Sequence, residues 1–428
     1  MKSLIARRSA LVTGSVAMSL ALAACGSSSS SSTTTSSSSG STAAKSPIKI
    51  ALIASLSGAA GPTYTIAARG FDARIKEQNA RGGVNGHPID EIVLDDQTSP
   101  TQVTTAVQQA ISDGVVGIVA DSPVFFLAAK YAQQAGIPVT GATADSSEWG
   151  TQPNTNMFPS DAGNTNPEVP YTNLLGTFFK QHGGTVVGTY GFGISPSSVH
   201  ATFASAKASQ AVGLKVGVMD TSVQFGTQSF GTEALAAKSA GVNALTTQMT
   251  IDSGLALLSA LRQNGVDPKI VSFATGYDYT IIGSNVWDTA QGTWFTTEFR
   301  PWSAPNAGTE AMKVAFDAYE HYAPAQFPSF SEYQSWLGAD LMILGLTRAG
   351  ANPTSASTIK ALRSITAYNG NGILGVTLNY TLNFGYNTKT ECLWSLQAQK
   401  TGFHLLSATP TCAPYIPGST SLTAPANL

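Results

Sequence analysis

The sequence predicts an α/β protein built as two doubly wound lobes. Two observations carry that expectation. Apolar runs too short for helices alternate with segments of helical period, and Gly- and Ser-rich loops follow the runs. The alternation lapses over residues 145–170 into Ser, Asn, Pro and Gly, then resumes with the same architecture, which reads as a crossing to a second lobe.

The elements follow in order. Ile48, Ile50, Leu52 and Ile53 form an apolar run ending in Ser55-Leu56-Ser57-Gly58, as suits a buried parallel strand feeding a binding loop. Ala67, Phe71 and Ile75 mark one helix face, and Gly82-Gly83-Val84-Asn85-Gly86 ends that helix with residues tolerant of positive φ. Ile92-Val93-Leu94 is the next strand, closed by Asp95-Asp96, so residues 48–97 make one βαβ unit. Val103, Val107, Ala110 and Ile111 mark a helix; a strand over 115–120, a helix over 125–135 and a strand over 137–140 complete the first lobe. In the second, helices at 173–181, 197–211, 230–240 and 254–264 alternate with strands at 185–190, 214–218, 244–249 and 270–273. Beyond Arg300-Pro301-Trp302, helices at 309–322, 331–349 and 355–365 are expected to return and cover the first lobe. Segments 375–383 and 391–398 read as antiparallel strands around an Asn/Gly-rich turn. Repeated crossings between lobes would form a hinge.

The first residues read as an export signal. Lys2, Arg7 and Arg8 precede an apolar stretch and then Leu22-Ala23-Ala24-Cys25, a small-residue cleavage site ending in Cys. That pattern resembles a bacterial lipoprotein signal, with Cys25 as the lipidated residue; an ordinary secretory signal is the alternative. Residues 27–42 are almost pure Ser and Thr and read as a stalk. Losing the three basic residues takes the formal charge from −2 to −5, a poor match for nucleic acid. Charged residues are 11% of the chain, well below the ~25% usual in globular proteins. In an oxidising compartment Cys392 and Cys412 are expected to close a disulfide; two buried thiols are the alternative.

Five landmarks in order resemble the leucine/isoleucine/valine-binding proteins of ABC importers. They are Leu56-Ser57-Gly58, the glycine turn at 82–86, Asp95-Asp96-Gln97, Asp113-Gly114-Val115 and Gly136-Ile137-Pro138. The resemblance is close from Ile48 to Thr143 and looser after Ile270. It implies a type I periplasmic-binding-protein fold: two doubly wound α/β lobes, a multi-segment hinge and a cleft that closes on a ligand. It implies a signal at 1–24, a lipidated Cys and stalk at 25–46, and a first lobe at 47–165 and 302–385. The second lobe would take 166–301 and 386–428, the latter with the tail.

The family's carboxylate-binding hydroxyls and amides fall on Ser122 and on Gly141, Ala142 and Thr143. Anion binding by amides and hydroxyls at turns and helix starts needs no buried counter-charge; a plain capping role is the alternative. Ser57 and Tyr64 fall at the cleft mouth, and Ser195, Thr250, Thr275 and Tyr277 on the second lobe's wall. Thr275 departs from the family, whose amino-acid binders carry near here a Glu for the ligand's ammonium. Asp278, Asp252 and Glu332 are the other candidates for that charge, and each also reads as a capping or solvated carboxylate. Tyr277, Phe330, Tyr333 and Trp336 could wall an aromatic ligand or be core.

Catalytic signatures are missing. Gly193-Ile194-Ser195-Pro196-Ser197 ends in Ser where a nucleophile elbow needs Gly, and the five histidines have no metal-binding spacing. The expectation is a lipid-anchored, monomeric solute-binding protein without cofactor or metal, partnered by a permease. It would take a branched-chain or other amino acid, or a related small carboxylate or amide. A sensor feeding a membrane receptor would share every feature.

Overall fold

Two open sheets, each wound outward from an inner strand, organise the chain, and the local sequence explains where each element starts. The computed structural model describes residues 45–142, 149, 154–161, 170–323, 326–381 and 389–426. The first sheet uses β1 (Ile48–Ala54), β2 (Ile89–Asp95), β3 (Gly117–Asp121), β4 (Val139–Gly141) and β5 (Met157–Pro159), in the order β2-β1-β3-β4-β5, all parallel. Between these strands lie α1 (Gly61–Tyr64), α2 (Ala67–Ala80), α3 (Pro100–Ser112) and α4 (Ala129–Gln134). Pro100 opens α3 behind Ser99, whose side chain accepts from the Gln102 amide. The glycine turn after α2 adopts positive φ at Gly82, Gly83, Asn85 and Gly86.

The second sheet begins after α5 (Leu174–Gln181). It comprises β6 (Val186–Phe192), α6 (Pro196–Ala211), β7 (Lys215–Val223), α7 (Gly231–Ala240), β8 (Ala244–Gln248), α8 (Ile251–Gln263), β9 (Ile270–Phe273), α9 (Trp287–Ala290) and β10 (Trp294–Thr297). Strands β7, β6, β8, β9 and β10 lie side by side and parallel. Helices α10 (Ala307–Tyr319), α11 (Phe330–Arg348) and α12 (Ser355–Arg363) come next, each begun by a capping box. Strands β11 (Thr390–Gln399), β12 (Gly402–Leu405) and β13 (Thr411–Pro414) end the order, with β11 antiparallel to β10, β12 and β13.

Helix α11 belongs to the first sheet although it follows the second in sequence. Ser335 Oγ donates to the Ala67 carbonyl at 2.6 Å, and Thr140 Oγ1 to the Gly338 carbonyl at 2.7 Å. Gly70 lets α2 close on α11: a Cβ there would sit 2.1 Å from the Glu332 carbonyl oxygen. Three expectations need correction. The stretch 145–170 is not simply a crossing, since it contains β5. The helix expected over 125–135 is a 3₁₀ turn, Phe125–Leu127, followed by α4. The strand expected over 375–383 is not formed in its described part; it holds a single bridge, Tyr368 to Leu378, and another, Phe299 to Leu374, precedes it. Alternating polarity cannot say which edge a strand joins, and β11 pairs with β10 instead.

Candidate functional site

Each sheet has a point where its strand order reverses, and ligands bind in open α/β sheets at the carboxyl ends of strands beside such points. In the first sheet the point lies between β1 and β3, whose carboxyl ends lead to Ser55 and Ser122; in the second it lies between β6 and β8, leading to Ser195 and Thr250. A cavity of about 330 Å³ opens here. Thr63, Tyr64, Pro123 and Phe330 wall it from the first sheet's side. Phe192, Ser195, Met249, Thr250 and Thr275 wall it from the second. It continues beneath the second sheet, where α6 presents Ala201, Ala204, Ser205 and Ala208. Those four share one helix face, and their small size makes the room.

The expected residues divide sharply. Tyr64, Ser195, Thr250 and Thr275 line the cavity. Ser195 caps α6, accepting from the Ser198 amide at 3.3 Å, and Thr275 Oγ1 donates to the Met249 carbonyl at 2.9 Å. Ser57 is exposed and bonds Asp95. Ser122 is buried behind the wall: its hydroxyl accepts from the Val124 amide at 3.2 Å and lies 3.5 Å from Ser55 Oγ. Ser55 in turn donates to buried Asp96 at 2.6 Å. Burial raises the Asp96 carboxyl, and these hydroxyls oppose that rise.

Gly141 is required by its positive φ of 154°, and a Cβ would clash with the Ala120 carbonyl. The Ala142 amide already donates to that carbonyl, at 3.4 Å. Thr143 and Cys25 lie outside the described residues. Tyr277 sits apart from the cavity, stacked on Phe327 with its hydroxyl accepting from the Trp302 amide. Of the four expected aromatic wall residues only Phe330 lines the cavity; Tyr333 stacks on Phe299 and Trp336 on Phe316.

The carboxylates considered for an ammonium are engaged elsewhere. Asp278 caps the Thr280 amide, Asp252 accepts from Gln228, and Glu332 accepts from the Ser329 amide and the Tyr322 hydroxyl. Two carboxylates that sequence reasoning missed line the cavity: Glu298, just past β10, and Glu391, within β11. Burial raises both, and a neighbouring Asp161 raises Glu298 further. Their signal in the sequence was weak, a lone acid beside a strand in each case. Among the described residues no group of His, Cys, Asp and Glu is placed to hold a metal ion. Cys392 and Cys412 are joined by a disulfide that ties β11 to β13.

A model of the periplasmic binding protein family matches residues 47–402. No curated protein matches the chain in sequence. Among solved structures, a branched-chain amino acid ABC transporter protein from Thermus thermophilus with bound valine aligns at TM-score 0.71 and 17% identity, covering 86% of this chain and 96% of that one. A solute-binding protein from R. palustris in complex with benzoate aligns at 0.69 and 14%, covering 88% and 99%. A fatty acid ABC transporter substrate-binding protein from Thermomonospora curvata aligns at 0.69 and 17%, covering 86% and 92%. At these identities the likeness is one of fold.

Proposed function

Because the chain belongs to the periplasmic binding protein family, we propose that it is the extracytoplasmic solute-binding component of an ABC importer. It takes one small ligand into the cavity between its sheets and presents the closed form to a permease. The observation that carries this reading is the cavity of about 330 Å³ at the two switch points, walled from both sides. That volume suits an amino acid or a related small carboxylate or amide. Binding rather than catalysis is favoured because the one serine of the wall in a near-nucleophile motif, Ser195, serves as a helix cap, its hydroxyl accepting from the Ser198 amide.

Residues 1–24 act as an export signal, Cys25 carries a lipid, and residues 25–46 tether the lobes to the membrane. Among the described residues no helix is long and apolar enough to cross a membrane. Lobe 1 takes 47–165 and 302–385, lobe 2 takes 166–301 and 386–428, and the three crossings act as the hinge.

A thermal-shift screen of amino acids, amides and small carboxylates tests the reading, since a ligand at a hundred times its dissociation constant adds about 2.7 kcal/mol. Ala204→Leu fills the cavity from α6 and is expected to abolish the shift while leaving the unliganded protein as stable as before. An undiminished shift in that variant refutes the site. Cys25→Ala is expected to release the protein from membranes, and continued sedimentation with them refutes the anchor.

A further inference from the structure

Two acids, Glu298 and Glu391, line the floor of the cavity, and a third, Asp161, is buried behind them. Asp161 follows β5 where the chain first leaves the first sheet, Glu298 follows β10 where it returns, and Glu391 stands in β11 after it crosses again. Asp161 is fully buried and hydrogen-bonds to Glu298. Glu391 accepts from the Thr172 hydroxyl, and Tyr415 closes the floor beside it. Glu298 and Glu391 are only partly exposed, and the surface they keep forms cavity wall.

Among the described lining residues there is no Lys or Arg, and His200 is the only lining side chain able to become a cation near neutral pH. On the opposite wall Thr63 is 4% exposed, and its hydroxyl finds no hydrogen-bond partner among the described residues. A cavity of ligand size thus has two partly buried carboxyls and no described lining Lys or Arg on one wall, and a buried hydroxyl on another, each of which gains from a polar ligand.

Resting on the reading that this cavity is the ligand site, we propose that its ligand carries a protonated amine, seated against Glu298 and Glu391. A cation there supplies the opposite charge that Asp161 cannot, in surroundings where charge is weakly screened. A ligand whose only charge is a carboxylate brings no opposite charge to these acids. Because the two acids stand at separate crossings, one ammonium bridges two strands of the hinge, so the group that selects the ligand also favours the bound arrangement of the lobes.

Three probes with one branched skeleton decide the matter: L-leucine, 3-methylbutylamine and 4-methylpentanoate, each titrated into the intact protein in detergent. The two amines are expected to raise the melting temperature and 4-methylpentanoate to leave it unchanged. Glu298→Gln and Glu391→Gln are each expected to weaken the amines at least tenfold. The wild-type comparison stands even where a variant folds poorly. Ala204→Leu reports where a probe binds. If 4-methylpentanoate shifts the wild type as strongly as leucine and loses that shift in Ala204→Leu, the amine proposal falls and the cavity reading stands. Amine shifts that persist in Ala204→Leu overturn the cavity reading. Amine binding unchanged in both Glu→Gln variants overturns the assignment to these acids, and no shift from either amine overturns the proposal outright.

Discussion

Glu332 shows how much a single buried side chain can decide. It is fully buried at the start of α11, where it bonds the Ser329 amide and lies 3.6 Å from Arg69. Burial outweighs these partners and pushes its carboxyl up to about 7. A carboxyl raised on folding holds its proton more tightly in the native state than in the unfolded chain. Its contribution is therefore complete below the ordinary carboxylate range and is lost as pH rises toward about 7. Denaturant unfolding at pH 5 and pH 8 should show this loss in the wild type. Glu332→Gln, which keeps a capping-box acceptor, should flatten it. At the same scale the sequence named Tyr64, Ser195, Thr250 and Thr275, all of which reach the cavity: Tyr64 ends the short helix after β1, and the other three lie just past the carboxyl ends of β6, β8 and β9. Glu298 and Glu391 escaped it because no local pattern records that two strands distant in sequence end over the same space.

Among the elements, α11 is the clearest case of structure set by tertiary neighbours. Fifteen of its nineteen residues are buried, so it lacks the polar face that a surface helix shows. Its contact with α2 runs through Gly70. Gly70→Ala should cost about 3 kcal/mol in unfolding free energy, since the new methyl meets backbone rather than a side chain that can move. The disulfide gives a second test. It closes a loop of sequence separation 20, so Cys392→Ser with Cys412→Ser should cost about 3 kcal/mol, measured by denaturant unfolding. Apolar runs and caps made the parallel strands and most helices legible within a few residues. The short strands β5, β10, β12 and β13 were not, because segments of that length take their conformation from the edge they pair with.

For the whole molecule, contacts between the lobes outside the cavity matter as much as those inside it. Arg69 of α2 donates to the Tyr279 hydroxyl at 3.0 Å, and the Phe330 amide to the Tyr277 carbonyl at 3.0 Å. These join the first sheet's helices to the loop after β9. Tyr279→Phe removes a link worth about 1 kcal/mol. It should weaken ligand binding about fivefold and enlarge the unliganded radius of gyration in small-angle scattering; an unchanged affinity would mean that the link does not favour the bound form. The sequence by itself determined the α/β class, the two-lobe repeat and the family likeness, because periodicity, caps and glycine turns are local and survive without knowledge of contacts. Only the tertiary structure decided which sheet α11 covers, that Ser122 and Tyr277 stand back from the cavity, and that Glu298 and Glu391 both line it. Those facts depend on how distant segments pack, which no window of sequence contains.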